Sequence, residues 1–395
     1  MTAPTLAPFA EPVVADLRAE LRAWFVRELP TGWGTAAYNA PNDEDAELVF
    51  LRAWQRKLYD AGWAGITWPT EYGGRGASLL HQAVFVEERD RAKAPLDVGI
   101  VGTQMVGPML IRHGSPEQKE RYLRRILTGE DLWCQGFSEP GSGSDLASLR
   151  TRAVPAGDDG WLLSGQKVWT SRAHQADLMI LLARTESVPG APHRGISAFV
   201  VPMDTPGLTV RAIRQVNGSH DFCEVFLDDA FVPADAVVGD VGRGWTIAIS
   251  TLSFERFATT RAFEMRNLVT ELEGYLDGRA GDELARHICD AHAAGLSYQR
   301  MVARMAVRGE IGVDASVGKL FSTELGQRIV ATAMATGGDD VVSAPVTTWR
   351  GGELSWSLEF VNSLKNTIAA GTSQIQRNII GERVLGLPRE EGPRS

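Results

Sequence analysis

Cysteine is scarce: 395 residues contain three, Cys134, Cys223 and Cys289, far apart and without metal-ligand spacing. That excludes a disulfide scaffold and a cysteine-based zinc site, and makes a reduced, cytoplasmic protein the default. The seven histidines form no HExxH or His-x-His pattern, so no metal is expected. Basic residues are outnumbered 40 to 49, and a net charge of −9 gives no general attraction to nucleic acid. No apolar run is long enough to span a membrane, and Met1 to Pro12 lacks the basic-then-apolar order of a signal peptide. What is present is a globular composition, 44% hydrophobic and 23% charged. The length implies roughly two or three packed domains.

The first third reads as helical. Val14, Leu17, Leu21, Trp24 and Phe25 recur at helical spacing, as do Leu48, Leu51, Trp54 and Leu58. Ser115-Pro116-Glu117-Gln118 has the form of a capping box with proline at the first helical position, and Thr128-Gly129-Glu130 ends that helix. The middle third changes period. Trp161 to Trp169 reads as two strands about a turn. The runs 177–182, 196–201, 208–213 and 222–227 continue the series, which suggests an antiparallel sandwich or barrel. After Gly242-Arg243-Gly244 the helical pattern returns to about Leu385, with interruptions expected near Gly278, Gly309 and Gly337. The expected architecture is α+β and multidomain: an N-terminal helical domain over 1–133, a middle antiparallel β-barrel or sandwich over 134–240, and a C-terminal helical bundle over 241–395. The extreme ends read as solvated tails.

Three segments carry chemistry. Phe137-Ser138-Glu139-Pro140-Gly141-Ser142-Gly143-Ser144-Asp145 is a loop rich in hydroxyls and N–H groups, suited to close approach by a ligand. By composition alone it reads first as a polar turn between domains. Gly165-Gln166-Lys167-Val168-Trp169-Thr170-Ser171 places an aromatic among polar residues, where a lone tryptophan is ordinarily core. Ile368-Ala369-Ala370-Gly371-Thr372-Ser373-Gln374-Ile375-Gln376-Arg377 leads into a helix. Ser373 and Gln376 are spaced as a capping box, and the helix start would offer free N–H groups to an anion.

Together, in this order and spacing, these blocks resemble the signatures of the acyl-CoA dehydrogenase family, and the resemblance runs from about Leu17 to Pro388. It implies FAD. By position, Phe137 and Ser138 would contact the flavin ring, Trp169 would shield one of its faces, and Ser171 would bond near flavin N5. Thr372 and Gln374 would also touch FAD, and Ser144 would lie near the acyl-CoA. The residue before Gly-Thr is often the catalytic Glu in this family; here it is Ala370, which retains only its backbone N–H for the thioester carbonyl. In other members the base stands on an earlier helix. Matching Gly242-Arg243-Gly244-Trp245 to that region puts Glu255 on the alternative site, beside Arg256 as a substrate-side residue. As an isolated helical Glu it would be a solvated surface carboxylate.

The family's Arg-x-x-Phe-Gly segment is missing. Its Gln-x-x-Gly-Gly segment reads Met334-Ala335-Thr336-Gly337-Gly338. The pattern resembles bacterial members of steroid side-chain and branched-chain catabolism, some of which are mixed tetramers. The resemblance therefore implies a homodimer, homotetramer, or heterotetramer with a homologous chain, and an electron-transfer flavoprotein as acceptor. Two alternatives stay open: a subunit with an incomplete FAD site, and a flavin monooxygenase or oxidase on the same fold.

Overall fold

The computed structural model describes residues 12–389 apart from 36, 42, 259, 280, 309–311 and 348–352. Within helices and strands it does not extend to the side chains of 12–13, 253–258, 308, 345–347 and 353–354. The chain forms two compact units: a helical one of Met1–Glu47, Ala77–Leu96 and Glu255–Ser395, and a sheet-bearing one of Leu48–Gly76 and Asp97–Phe254.

The helical unit begins with α1 (Pro12–Glu28); α2 (Glu44–Asp60) leads from it into the sheet-bearing unit, and α3 (Leu79–Arg91) returns to it. The expected apolar stripe of α1 is buried, with Leu21 fully enclosed and Phe25 meeting the Phe85 ring of α3 at 6.1 Å. Beside this contact the Glu88 carboxylate receives Arg18, Arg22 and Arg91. Helices α4 (Gly107–His113), α5 (Pro116–Thr128) and α6 (Gly244–Ala258) come next in the chain; α7 (Ala262–Leu276), α8 (Gly281–Arg308) and α9 (Asp314–Thr336) complete the helical unit's main layer. Two expected interruptions are seen. Helix α7 stops at Asp277, which takes the left-handed cap ahead of Gly278. Helix α9 stops at Gly337, where a Cβ would stand 2.5 Å from the Tyr275 hydroxyl. Gly309 lies outside the described residues. Leu272, Leu276, Leu325, Ile329, Val330 and Trp356 form the core, and Met334 packs against it. A hairpin, β9 (Pro345–Thr347) with β10 (Glu353–Ser355), and helices α10 (Trp356–Leu364) and α11 (Ser373–Arg383) close the chain.

In the sheet-bearing unit, α5 opens as expected. Ser115 Oγ accepts from the Gln118 N–H and Gln118 Oε1 accepts from the Ser115 N–H, and Gly129 ends the helix in the left-handed region. The strands are β1 (Trp133–Gly136), β2 (Arg152–Pro155), β3 (Gly160–Ser171), β4 (Leu178–Arg184), β5 (Ile196–Pro202), β6 (Leu208–Ile213), β7 (Phe222–Pro233) and β8 (Val237–Val238). They make one sheet in the order β6-β7-β3-β2-β4-β5-β8, with β1 also on β4. Most pairings are antiparallel, but β1 and β2 run parallel to β4, so the sheet is mixed. The unbroken apolar runs of β4 and β5 are buried on both faces.

The expected strand–turn–strand over 161–169 is instead the single strand β3. Gly165 marks a register shift within it, not a turn. A Cβ there would lie 2.6 Å from Thr151 Oγ1, so the glycine serves a close approach of two backbones. Glycine likewise starts α6: a Cβ on Gly244 would lie 2.5 Å from the Ser197 backbone of β5. Among the described residues no helix is long and apolar enough to cross a membrane.

Candidate functional site

In the sheet-bearing unit the Gly/Ser loop leaves β1 and folds on itself. Glu139 and Ser142 exchange backbone hydrogen bonds of 2.8 and 3.0 Å, and Ser142 Oγ donates to the Asp145 carbonyl at 2.7 Å. Gly141, Gly143 and Ser144 face solvent. Phe137 is buried and Ser138 half-buried. Ser138 is tied to β3, its carbonyl accepting from the Val168 N–H at 3.0 Å.

Strand β3 then does something a regular strand does not. Between Lys167 and Thr170 its register with β7 shifts, and Trp169 takes φ +60°. A bulky residue in the left-handed region is a genuine outlier, held by its surroundings. The kink turns the indole outward: Trp169 is 59% exposed, with the Phe222 ring edge-on at 6.2 Å. It is therefore no core aromatic. Ser171 is exposed beside it, and the buried Thr170 hydroxyl has no hydrogen-bond partner among the described residues. An exposed indole next to hydroxyls suits a flat aromatic ligand with a hydrogen-bonding edge.

Two residues behind this surface were not singled out by sequence. Lys167, fully buried, donates to Glu139 Oε1 at 2.8 Å and to the Phe137 carbonyl at 3.1 Å. The Glu139 carboxylate also accepts the backbone N–H groups of Arg150 and Thr151 at 2.6 and 2.8 Å. Burial pushes the Lys167 ammonium down to about 8, against the pull of Glu139. Burial alone would raise the Glu139 carboxyl, but Lys167 and the N–H donors outweigh it and hold it below its ordinary value. The signal available in the sequence was a Glu and a Lys, of opposite charge, one in each of two neighbouring blocks.

In the helical unit the Ala370-Gly371 turn takes left-handed φ values of +55° and +86°. Three groups hold it. The Lys319 ammonium donates to the Gly371 carbonyl at 2.8 Å. Gln376 Nε2 donates to the carbonyls of Ala370 and Gly371 at 2.8 and 3.2 Å. Thr372 caps α11, its hydroxyl accepting from the Ile375 N–H at 3.2 Å. The expected Ser373–Gln376 capping box is thus not formed. The helix starts one residue earlier, on Thr372, which leaves the buried Ser373 hydroxyl without a partner among the described residues and frees the Gln376 amide to clamp the turn. The Ala370 N–H makes no hydrogen bond among the described residues, and Gln374 is exposed.

Glu255 and Arg256 fall in the last turn of α6, but their side chains lie outside the described residues. Met334, half-buried, packs against the helical core, which accounts for an apolar residue where a Gln was expected. The sheet-bearing unit thus holds an outward indole beside a hydroxyl-rich loop, and the helical unit, described by itself, holds a strained turn leading into a capped helix.

Comparison with known proteins agrees over nearly the full length. Residues 15–130 match the acyl-CoA dehydrogenase N-terminal domain, 134–230 the middle domain and 242–385 the C-terminal domain. The acyl-CoA dehydrogenase IpdE1 of Mycobacterium tuberculosis is 41% identical over 389 residues, 95% of this chain and 98% of that protein. A chain of the ChsE4-ChsE5 complex from Mycobacterium tuberculosis superposes with a TM-score of 0.80 at 30% identity, covering 96% of this chain and 99% of that one. A chain of the Tcur3481-Tcur3483 steroid ACAD gives a TM-score of 0.80 at 31% identity, with the same coverage of 96% and 99%.

Proposed function

Since the chain belongs to the acyl-CoA dehydrogenase family, we propose that it desaturates an acyl-CoA thioester between Cα and Cβ with Glu255 as the base. The family is FAD-dependent, and the chain is an oxidoreductase of that family. In the sheet-bearing unit the outward Trp169 and the Thr170 hydroxyl, unpartnered among the described residues, fit such a cofactor; in the helical unit the capped start of α11 does so by itself. FAD, when bound, supplies the acceptor for the hydride leaving Cβ. Phe137, Ser138, Trp169, Ser171, Thr372 and Gln374 are the residues assigned to hold it, with Ser144 and Arg256 toward substrate. The assigned domains are 1–133, 134–240 and 241–395, and the electrons pass to an electron-transfer flavoprotein.

The observation that carries the reading is the turn at Ala370. Proton removal from Cα leaves negative charge on the thioester oxygen, which needs a donor fixed in advance. Among the described residues the Ala370 N–H has no partner, and it sits on a backbone held by Lys319 and Gln376. It is a main-chain group, so it survives loss of the Glu side chain. The carboxylate then has to come from elsewhere, and Glu255 takes the Cα proton as the enoyl-CoA forms. In the test, a Glu255→Gln variant keeps FAD in a parental visible spectrum but is not bleached by acyl-CoA. Full bleaching at the parental rate would remove Glu255 from the mechanism.

A second reading concerns the assembly. Relatives of comparable length are named as pairs of unlike chains, ChsE4-ChsE5 and Tcur3481-Tcur3483, and the half-buried Met334 sets an apolar side chain where other members carry Gln. We propose a heteromer with a homologous chain as the alternative to a homo-oligomer. FAD per chain in the purified protein separates them: near-full occupancy supports the chain acting alone, and low occupancy that added FAD cannot restore supports an unlike partner.

A further inference from the structure

We propose that the buried Glu139–Lys167 pair is a positioning device that holds the loop at 137–139 and the Trp169 bulge in one fixed register for the flavin; this rests on the FAD-dependent reading above. A buried ion pair is a poor source of stability, because desolvating both charges offsets most of their attraction. Its presence in the buried interior of the sheet-bearing unit therefore needs a geometric reason. Every bond it makes supplies one. Lys167 holds the Phe137 carbonyl at 3.1 Å and Glu139 at 2.8 Å, and Glu139 in turn holds the N–H groups of residues 150 and 151. One residue further along β3, the Val168 N–H holds the Ser138 carbonyl. One residue beyond that, Trp169 stands in its left-handed bulge. The flavin-facing groups of loop and strand thus share a single buried anchor and cannot shift independently. Neither Glu139 nor Lys167 faces solvent, so both act through Phe137, Ser138 and Trp169, not on the ligand.

The experiment uses the full chain and three readouts: the thermal midpoint, backbone amide exchange over 137–145 in FAD-free protein, and the FAD dissociation constant by titration. Lys167→Met alone strands the Glu139 charge and lowers the midpoint. The double variant Lys167→Met with Glu139→Gln removes the stranded charge and recovers much of that loss. In the double variant the loop amides exchange faster than in the parent, and FAD binds about tenfold or more weakly, as expected when contact groups are misplaced. Recovery of parental exchange and parental FAD affinity together with stability would overturn the proposal, since the pair would then be merely structural. If Lys167→Met does not fold, the double variant alone decides. If FAD binds neither parent nor variants, the cofactor reading fails by itself, while unchanged exchange over 137–145 is what would sink the anchor.

Discussion

The Lys319 ammonium, 1% exposed, donates to the Gly371 carbonyl at 2.8 Å across 52 residues of sequence. This bond and the Gln376 amide keep the Ala370-Gly371 turn in a conformation that L-residues avoid. The two positions should therefore respond oppositely to substitution. Gly371→Ala puts a Cβ 2.6 Å from Gln376 Nε2 at φ +86°, and a loss of about 1–2 kcal/mol is expected. Ala370→Gly relieves φ +55° and should change stability by less than about 1 kcal/mol, in the stabilising direction. Urea unfolding of both variants checks the pair; equal destabilisation would mean the turn is not held left-handed.

Trp169 exposes most of its ring, so its removal costs the fold little. Trp169→Ala should leave unfolding free energy within about 0.5 kcal/mol of the parent. FAD affinity should nevertheless fall by about tenfold, the scale of a lost aromatic stack. A titration followed by flavin absorbance measures the second number. A large loss of stability with unchanged affinity would return Trp169 to a packing role.

Glu88 has a side chain only 1% exposed among Arg18, Arg22 and Arg91. Burial alone would raise its carboxyl, but the three guanidinium groups outweigh that and hold it down at about 2, below its ordinary 4.5. The folded state therefore binds the proton less readily than the unfolded chain. The stabilisation is fully present above pH 4.5 and is lost as pH falls toward about 2. Arg22 and Arg91 are half-exposed, so screening reduces the effect, and Glu88→Gln should cost about 1–3 kcal/mol at neutral pH. The difference between parent and variant should shrink as the pH is lowered through the acid range; a difference independent of pH would exclude the charge as its source.

Met334 tests whether the unusual segment before Gly337-Gly338 is a binding element or a packing one. Met334→Gln restores the family's residue type but places an amide against the apolar core. A destabilisation of about 1–3 kcal/mol is expected, with no gain in FAD per chain. A rise in FAD occupancy in the variant would show that the side chain reaches the cofactor and would favour a self-sufficient homo-oligomer.

Helix α5 was legible to the residue: Ser115, Pro116, Gln118 and Gly129 act within one turn of each helix end, and local chemistry decides such caps. The apolar stripe of α1 and the buried strands β4 and β5 were legible for the same reason, since their period states which face meets a core. The three signature blocks identified the family directly, and the comparisons bear that out. Local reading failed where a neighbour distant in sequence intervened. Gly165 suggested a turn, but Thr151 packs so closely on it that it becomes a bulge in one long strand. Ser373 suggested a cap, but Thr372 took that place and Gln376 turned back onto the clamped turn.

By itself the sequence determined the succession of helical, strand-rich and helical segments, the family and the missing Glu before Gly-Thr, because each is written in local stretches whose spacing is its meaning. Tertiary structure alone decided that Lys167 meets Glu139, that Lys319 meets Gly371 and that Trp169 points outward. A buried charge is tolerable only where its partner arrives from another segment, and a strained φ persists only where surrounding contacts hold it. Both conditions exist only once the chain has folded.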